Sequence, residues 1–378
     1  MKKYFVGVMT GTSLDGIDVA VAEFDIKTGS SISIHSYNTY PFSLLYKIYI
    51  KKLIHEETTL EKISMLNYYL GHAISKTVLK HLEEHNISPY EVEAIGAHGQ
   101  TIWHQPEKKK IMNTNLNSTL QALSGPVLAV KSGIEAITDF RAADIAAGGS
   151  GAPLQPIFDH YFLRESGKDV VVLNIGGISN ITFLEASGYR DDIIAFDTGP
   201  GNILIDSVMS KLYNKDYDED GDVASTGRLN HDLLYKLLSI SFINNDPPKS
   251  TGRELFNIKL LEDLDAFSIK SQDLVCTLTH YTALSISKNI ENYCTTKPFI
   301  LKASGGGARN KMLMRLLADY IPNAEVQLIT LDDKDITDSR EALLFAFLAY
   351  LRKNKIHGNI TSVTGAKREK ILGSVSLP

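Results

Sequence analysis

Twice in this chain an apolar run enters a glycine-bearing polar turn and leaves it at once as a second apolar run. The first is YFVGVMTGTSLDGIDVAVAEF, Tyr4 to Phe24, and the second is DVVVLNIGGISNITFLEA, Asp169 to Ala186. Both read as strand, glycine turn, strand. They share a plan but not an alignment, so duplication rests on pattern alone. A tight hairpin needs only two loop residues, and Asn-Gly or Asp-Gly would do. Gly11 to Asp18 supplies more hydroxyls, carboxylates and backbone N–H groups than that, which points to a ligand. Two such units, one per domain, would grip a phosphate chain from both sides.

At 378 residues the chain is long for one core and fits two domains. The small, glycine-rich stretch TDFRAADIAAGGSGAPLQP, around residue 140, reads as the crossing between them. We expect a first domain of residues 1–140 with about 345–378 returning to it, and a second of residues 141–344. A net charge of −5 gives no basic footprint for nucleic acid, and Lys108-Lys109-Lys110 reads as a solvated loop. Cys276 and Cys294 form no CxxC motif or disulfide framework and are expected as reduced thiols in a cytoplasm. Met1-Lys2-Lys3 runs straight into strand-like Tyr4–Val8, unlike a signal peptide, and no stretch approaches the roughly 18–20 apolar residues of a membrane span. A cytoplasmic location with no membrane partner is the expectation, and the sequon Asn180-Ile181-Thr182 carries no meaning there.

Further along, Ser31 to Tyr40 alternates as a third strand ending at Pro41, and Leu60 to His85 has helical spacing at Ile63, Leu66, Leu70 and Ala73. Ala94–Ala97 reads as a short buried strand that delivers HGQTIWHQP at its end, where open α/β sheets place ligands. Ile193–Phe196 reads as a strand, with a helix opening near Asn202 as N-cap. Phe299–Leu301 is a strand, ASGGGARN a loop, Lys311–Tyr320 a helix, and Arg340–Arg352 an apolar, buried segment.

Four polar, glycine-rich loops follow apolar strands: Gly11–Asp18, Gly176–Asn180, Asp197–Asn202 and Gly305–Asn310. Glycine lets a backbone approach a phosphate, and successive N–H groups make an anion-binding concavity. Any one of the four reads equally well as a plain turn, whereas four at strand ends favour phosphate. Neither a G-x-x-x-x-G-K-[ST] nor a G-x-G-x-x-G opening a helix is present, which disfavours P-loop and Rossmann proteins. Asp197, before the rigid Thr198-Gly199-Pro200-Gly201 corner, is either an ordinary turn aspartate or a base kept ionised by a neighbouring helix N-terminus.

His98 and His104 flank the only tryptophan, Trp103, as a sugar-stacking surface or as a core tryptophan with two loop histidines. TDFRAAD adds Asp139, Arg141 and Asp144, suited to hydroxyl and carboxylate recognition or to a surface ion-pair network worth little. HLEEH, His81 to His85, matches an H-x-x-E-H zinc pattern. It lies at the polar end of an amphipathic helix with no third ligand and is set aside. Glu341 is either a first-turn glutamate favoured by the helix dipole or a substrate-facing carboxylate.

Strand–TGTSLDGID–strand, the second glycine hairpin and the late GGGARN loop resemble the actin/hexokinase/Hsp70 superfamily of ATP-dependent phosphotransferases. Within it, GVMTGTSLDGIDVA, AHGQTIWH, TDFRAADIAAGGSGAPLQP, NIGGISNIT, FDTGPGN and SGGGARN resemble the 1,6-anhydro-N-acetylmuramic acid kinases of cell-wall recycling, over essentially the whole chain. The resemblance implies an α/β fold of two ribonuclease-H-like domains with a central cleft. It implies ATP and Mg²⁺, a small anhydro-amino-sugar substrate, a homodimer, and phosphorylation of O6 as water opens the anhydro ring. Gly11, Thr12, Ser13, Leu14, Asp15, Gly16, Ile17 and Asp18 would form the first phosphate loop, with Asp15 a ligand of the metal, directly or through water. Gly176 and Gly177 would face the phosphates from the second domain, and Gly305, Gly306, Gly307 and Asn310 would flank the adenosine. Asp197 would be the base acting on water, since O6 has no proton to lose. His98, Asp139, Arg141 and Glu341 would bind substrate, Arg141 through the lactyl carboxylate.

Two other readings stand beside this one. Another sugar or carboxylate kinase of the superfamily would phosphorylate without adding water. A nucleotide-gated sugar-binding sensor would bind without turnover, independently of Asp197. A repressor of that kind would open with a helix-turn-helix, where this chain has a strand at Tyr4.

Overall fold

The computed structural model describes residues 3–11, 14–27, 30–55, 58–295, 297–331 and 334–378, so Thr12 and Ser13 of the first loop lie outside the described residues. The chain divides into two compact units, Met1–Phe162 with Ser339–Pro378, and Leu163–Asp338. The divisions fall at 162/163 and 338/339, displaced from the expected 140 and 344. Residues beyond 140 stay with the first unit because Phe158 and Phe162 of the helix Gln155–Phe162 pack against Phe347. The Arg340 guanidinium also pairs there with the fully buried Asp159 carboxylate. Arg141 and Glu341 therefore both belong to the first unit.

In that unit the strands are β1 (Tyr4–Met9), β2 (Gly16–Asp25), β3 (Ser31–Pro41), β4 (Val92–His98), β5 (Gln100–Ile111), β6 (Thr114–Ala122) and β7 (Ala136–Thr138). The main sheet runs β3-β2-β1-β4-β7, with the strand Ser374–Ser376 beyond β7. β1 to β3 form an antiparallel meander, β4 is parallel to both β1 and β7, and the strand Ser374–Ser376 is antiparallel to β7. This is the ribonuclease-H-like order.

On one face Val6, Val8, Val19 and Val21 meet the helix Leu60–Glu84, whose Leu66, Leu70, Ile74, Val78 and Leu82 recur every fourth residue as one apolar stripe. Thr59 caps that helix by accepting from the Lys62 N–H. The opposite face takes the helix Arg340–Lys353. Gly7 and Gly96 are paired in register on β1 and β4. A Cβ at Gly7 would lie 1.8 Å from the Ala342 carbonyl oxygen, and one at Gly96 2.0 Å from that of Phe345. Two adjacent glycines thus let helix backbone lie directly on the sheet, and this fixes where Glu341 stands.

His81 of the HLEEH segment is buried, with Nε2 2.8 Å from Ser36 Oγ and Nδ1 3.0 Å from the Tyr40 hydroxyl. Burial pushes its pKa down to about 4. Both ring nitrogens are spent inside the fold, which accounts for this histidine without a metal. HGQTIWHQP, expected at a strand end, continues instead as β5 of a separate hairpin with β6. Trp103 is exposed beside Leu120 and is not a core residue, and Lys108–Lys110 are exposed strand residues, not a loop.

The second unit repeats the plan with β8 (Asp169–Ile175), β9 (Ile178–Leu184), β10 (Ile194–Pro200), β11 (Phe299–Ser304) and β12 (Ala324–Leu328), ordered β10-β9-β8-β11-β12. β8 occupies the place of β1, antiparallel to β9 and parallel to β11. Val171, Leu173, Ile181, Phe183 and Phe196 pack with Leu274, Leu278, Tyr281 and Ile286 of the helix Ser271–Tyr293.

One expectation is corrected here. The strand read as Ile193–Phe196 runs on through Pro200, with its register slipping between Asp197 and Gly199. The helix Ser271–Tyr293 sustains this bulge, since Ser285 Oγ and Asn289 Nδ2 donate to the Thr198 carbonyl at 2.6 and 3.1 Å. Asp197 therefore stands inside a bulged strand. Among the described residues no helix is long and apolar enough to cross a membrane.

Candidate active site

In the first unit, Met9 at the end of β1 is in register with Asp18 on β2 and with His98 on β4, so these residues stand side by side on three strands. The loop that leaves β1 holds Leu14 at φ 61°, a left-handed conformation costly for leucine, and Asp139 after β7 sits at φ 55°. His98 is buried and its Nε2 accepts from Arg141 Nε at 3.0 Å, which puts the proton of the neutral ring on Nδ1. Burial and then the Arg141 charge hold its pKa well below the usual range. Arg141 also donates to the Gly151 carbonyl at 3.3 Å.

Glu341 opens the helix Arg340–Lys353. It remains accessible to solvent, yet the surrounding protein raises its pKa, mainly by desolvation and next by the Asp18 carboxylate. Asp139 behaves alike, exposed but with its pKa raised by desolvation. Arg141 and Glu341 influence each other's charge, so His98, Arg141, Glu341 and Asp18 form one neighbourhood. Asp18 itself accepts from the Thr39 and Tyr37 hydroxyls.

Asp144 does not join them. It is fully buried and accepts from the Gly151 N–H, Asn359 Nδ2 and Thr364 Oγ1 at 2.7–2.8 Å. It is an anchor for the glycine-rich stretch. His104 is exposed on the hairpin, bonded to Thr119. Sequence reasoning missed Gln100, which is fully buried with neither amide atom hydrogen-bonded among the described residues.

In the second unit, one carboxylate oxygen of Asp197, Oδ2, accepts from the Thr251 N–H at 2.9 Å, and no described group bonds the other. Its pKa is raised to about 6, by burial above all, while the Thr251 bond opposes this and Glu254 adds to it. The expectation that a helix N-terminus keeps it ionised is not met: the helix begins only at Ile203 and has six residues. Asn202 does not cap that helix with its side chain, which instead donates to the Ile175 carbonyl at 3.4 Å.

The glycines separate into two kinds. The Gly176 carbonyl accepts from the Asn202 N–H, and the Gly177 carbonyl from those of Gly201 and Ile203. The Gly177 N–H shares its peptide unit with the Gly176 carbonyl, and because a trans peptide sets C=O and N–H on opposite sides it points away from the Asn202 contact. A Cβ at Gly176, Gly177 or Gly306 would find nothing nearer than 3.5, 3.8 and 4.0 Å. Packing alone does not demand glycine at these three. Gly16, Gly305 and Gly307 differ, since a Cβ there would come within 2.5, 2.6 and 2.3 Å of Tyr40 or Ile175 atoms. Asn310 is a helix cap, its Oδ1 accepting from the Leu313 N–H at 3.0 Å. Asp206, which sequence reasoning passed over, has its pKa raised to about 7 by burial and then by Asp216.

Residues 3–378 match the family model described as anhydro-N-acetylmuramic acid kinase. Curated proteins of that name align along their whole lengths. That from Caldanaerobacter subterraneus subsp. tengcongensis is 36% identical over 100% of this chain and 97% of its own. That from Francisella tularensis subsp. novicida is 38% identical over 99% and 98%, and that from Pasteurella multocida 39% over 98% and 96%.

Proposed function

The chain belongs to the anhydro-N-acetylmuramic acid kinase family, and from that premise we propose how its own residues carry the reaction. It is a phosphotransferase that uses ATP to convert 1,6-anhydro-N-acetylmuramic acid and water to N-acetylmuramic acid 6-phosphate and ADP, a step of cell-wall recycling. The observation that carries the chemistry is Asp197, a carboxylate pinned through one oxygen, with a pKa of about 6. Near neutral pH it is ionised yet basic enough to accept a proton, which is what a general base requires.

Water attacks C1 of the sugar and Asp197 takes the proton that water loses. The C1–O6 bond breaks, and its electron pair makes O6 the nucleophile toward the γ-phosphorus. The O–P bond to ADP breaks as the new one forms. No cysteine or histidine nucleophile is needed, because phosphoryl transfer rests on positioning and charge neutralisation. Gly11, Leu14, Asp15, Gly16, Ile17 and Asp18, together with Thr12 and Ser13, would hold the phosphates from the first unit. Gly176 and Gly177 would do so with N–H groups from the second, with Gly305–Gly307 and Asn310 shaping the adenosine side. His98, Asp139, Arg141 and Glu341 would bind the sugar, Arg141 pairing its carboxylate.

Among the described residues no three His, Cys, Asp or Glu cluster as a metal site. That suits Mg²⁺, which keeps several waters and takes one or two carboxylates plus substrate phosphates. Asp15, exposed on the loop that leaves β1, fits as the residue that would hold it, directly or through water. The bound ion would supply neutralisation of phosphate charge. A homodimer and a cytoplasmic location complete this reading, the former supported by exposed Leu44, Leu45, Tyr68 and Tyr69 on the helices Leu44–His55 and Leu60–Glu84.

The test is mass spectrometry of the anhydro-sugar incubated with the protein, Mg²⁺ and ATP in ¹⁸O-water. The expected product gains one phosphoryl group and one labelled oxygen, at C1. A phosphorylated product without the label would overturn the hydrolytic step, and unchanged sugar with intact ATP would overturn the substrate.

A further inference from the structure

We propose that Lys249 is a positioning residue for the reaction, pinning the segment that holds the Asp197 carboxylate. This rests on the reading of Asp197 as the base. Residues 245–257 belong to no helix or strand, so their placement depends on side-chain anchors. Lys249 provides one. Its Nζ donates to the Phe242 and Ile243 carbonyls, both at 3.2 Å. It also lies over three aromatic rings, 5.2 Å from the centroid of Phe242, 5.4 Å from Tyr293 and 5.6 Å from Phe196. A cation among aromatic faces is attracted to each of them, more strongly when desolvated.

Phe196 immediately precedes Asp197 on β10, so the anchor touches the strand that carries the carboxylate. The Lys249 carbonyl accepts from the Asp197 N–H at 3.2 Å, and two residues on the Thr251 N–H donates to Asp197 Oδ2 at 2.9 Å. The ammonium thus acts on the carboxylate only through the backbone it fixes. Two charged or polar groups bear on Asp197 besides burial: Thr251 N–H favours its ionised form and Glu254 disfavours it. Asp246 faces Lys249 and accepts from the Tyr293 hydroxyl at 3.1 Å. Loosening the segment removes the Thr251 N–H bond, which favours ionised Asp197.

The experiment titrates the Asp197 carboxyl by ¹³C NMR in protein labelled at aspartate, assigned by its absence in Asp197→Asn, alongside turnover against pH. Lys249→Met removes the donor and the charge, and its Asp197 midpoint is expected to rise by about 1 unit or more, as for a lost hydrogen bond to an ion. Lys249→Arg keeps both and is expected to hold the wild-type midpoint. Lys249→Gln keeps one donor and carries the test if the methionine variant does not fold, with a smaller rise expected. A folded Met or Gln variant with an unmoved midpoint overturns the proposal. If the midpoint rises and the acid limb of turnover stays put, Lys249 positions Asp197 as inferred but Asp197 is not the base.

Discussion

Replacing Asp197 by asparagine should make the protein more stable and inactive at once. Burial lifts the carboxyl pKa from 3.8 to about 6. Because folded Asp197 binds its proton more tightly than the unfolded chain does, the ionised carboxylate opposes folding. Below pH 3.8 both states are protonated and nothing is lost. As pH rises from there through 6, stability falls by roughly 3 kcal/mol, the equivalent of about two pKa units. Asparagine keeps the shape and an oxygen for the Thr251 N–H but never ionises.

Asp197→Asn should therefore gain up to about 3 kcal/mol near pH 8, about half of that near pH 5, and about 0.5 kcal/mol at pH 4. Turnover should drop by about 10²–10⁴-fold, the range for a lost general base, with ATP and sugar binding retained. Wild-type turnover itself should follow an acid limb with a midpoint near 6. Urea unfolding at the three pH values, with ADP release measured in parallel, checks both halves. A gain that does not vary with pH, or a loss at pH 8, would refute the claim that burial sets this pKa. Retained turnover would remove Asp197 from the base role.

Glu341→Gln should raise KM for the sugar by about tenfold or more, one lost hydrogen bond to a charged group, while KM for ATP barely moves. The reverse split, read from steady-state kinetics, would place Glu341 at the nucleotide. Gly177→Ala should fold normally, since its Cβ would have 3.8 Å of room, but should weaken nucleotide binding measured by calorimetry. Gly307→Ala should instead lose about 1–3 kcal/mol of stability, because its Cβ would fall 2.3 Å from Ile175 Cγ2. Equal thermal melts for the two would contradict the division of the glycines into two kinds.

Much of this was readable along the chain, and for local reasons. The two glycine hairpins, the helical spacing at Ile63, Leu66, Leu70 and Ala73, and the apolar segment from Arg340 all depend on patterns that neighbours in sequence display. Of the residues that motifs singled out in the first unit, His98, Arg141 and Glu341 share one neighbourhood. Asp144, from the same TDFRAAD run, looked equivalent to its neighbours in sequence. It is instead an anchor, because its partners Asn359 and Thr364 lie more than 200 residues away.

The sequence by itself determined the fold class, the pair of strand–turn–strand units and the residue types of the candidate site. Those follow from backbone propensity, side-chain period and chemical identity, which are properties of short segments. Only the tertiary structure decided that Gly7 and Gly96 meet in register to seat a helix, that Thr198 bulges out of β10, and that Lys249 belongs with Asp197. It also decided the sign of the Asp197 shift. A turn aspartate beside a helix start reads as ionised, whereas the half-buried strand aspartate found here is pushed toward its neutral form by desolvation. Desolvation depends on what surrounds a group in space, and no short stretch of sequence contains that information.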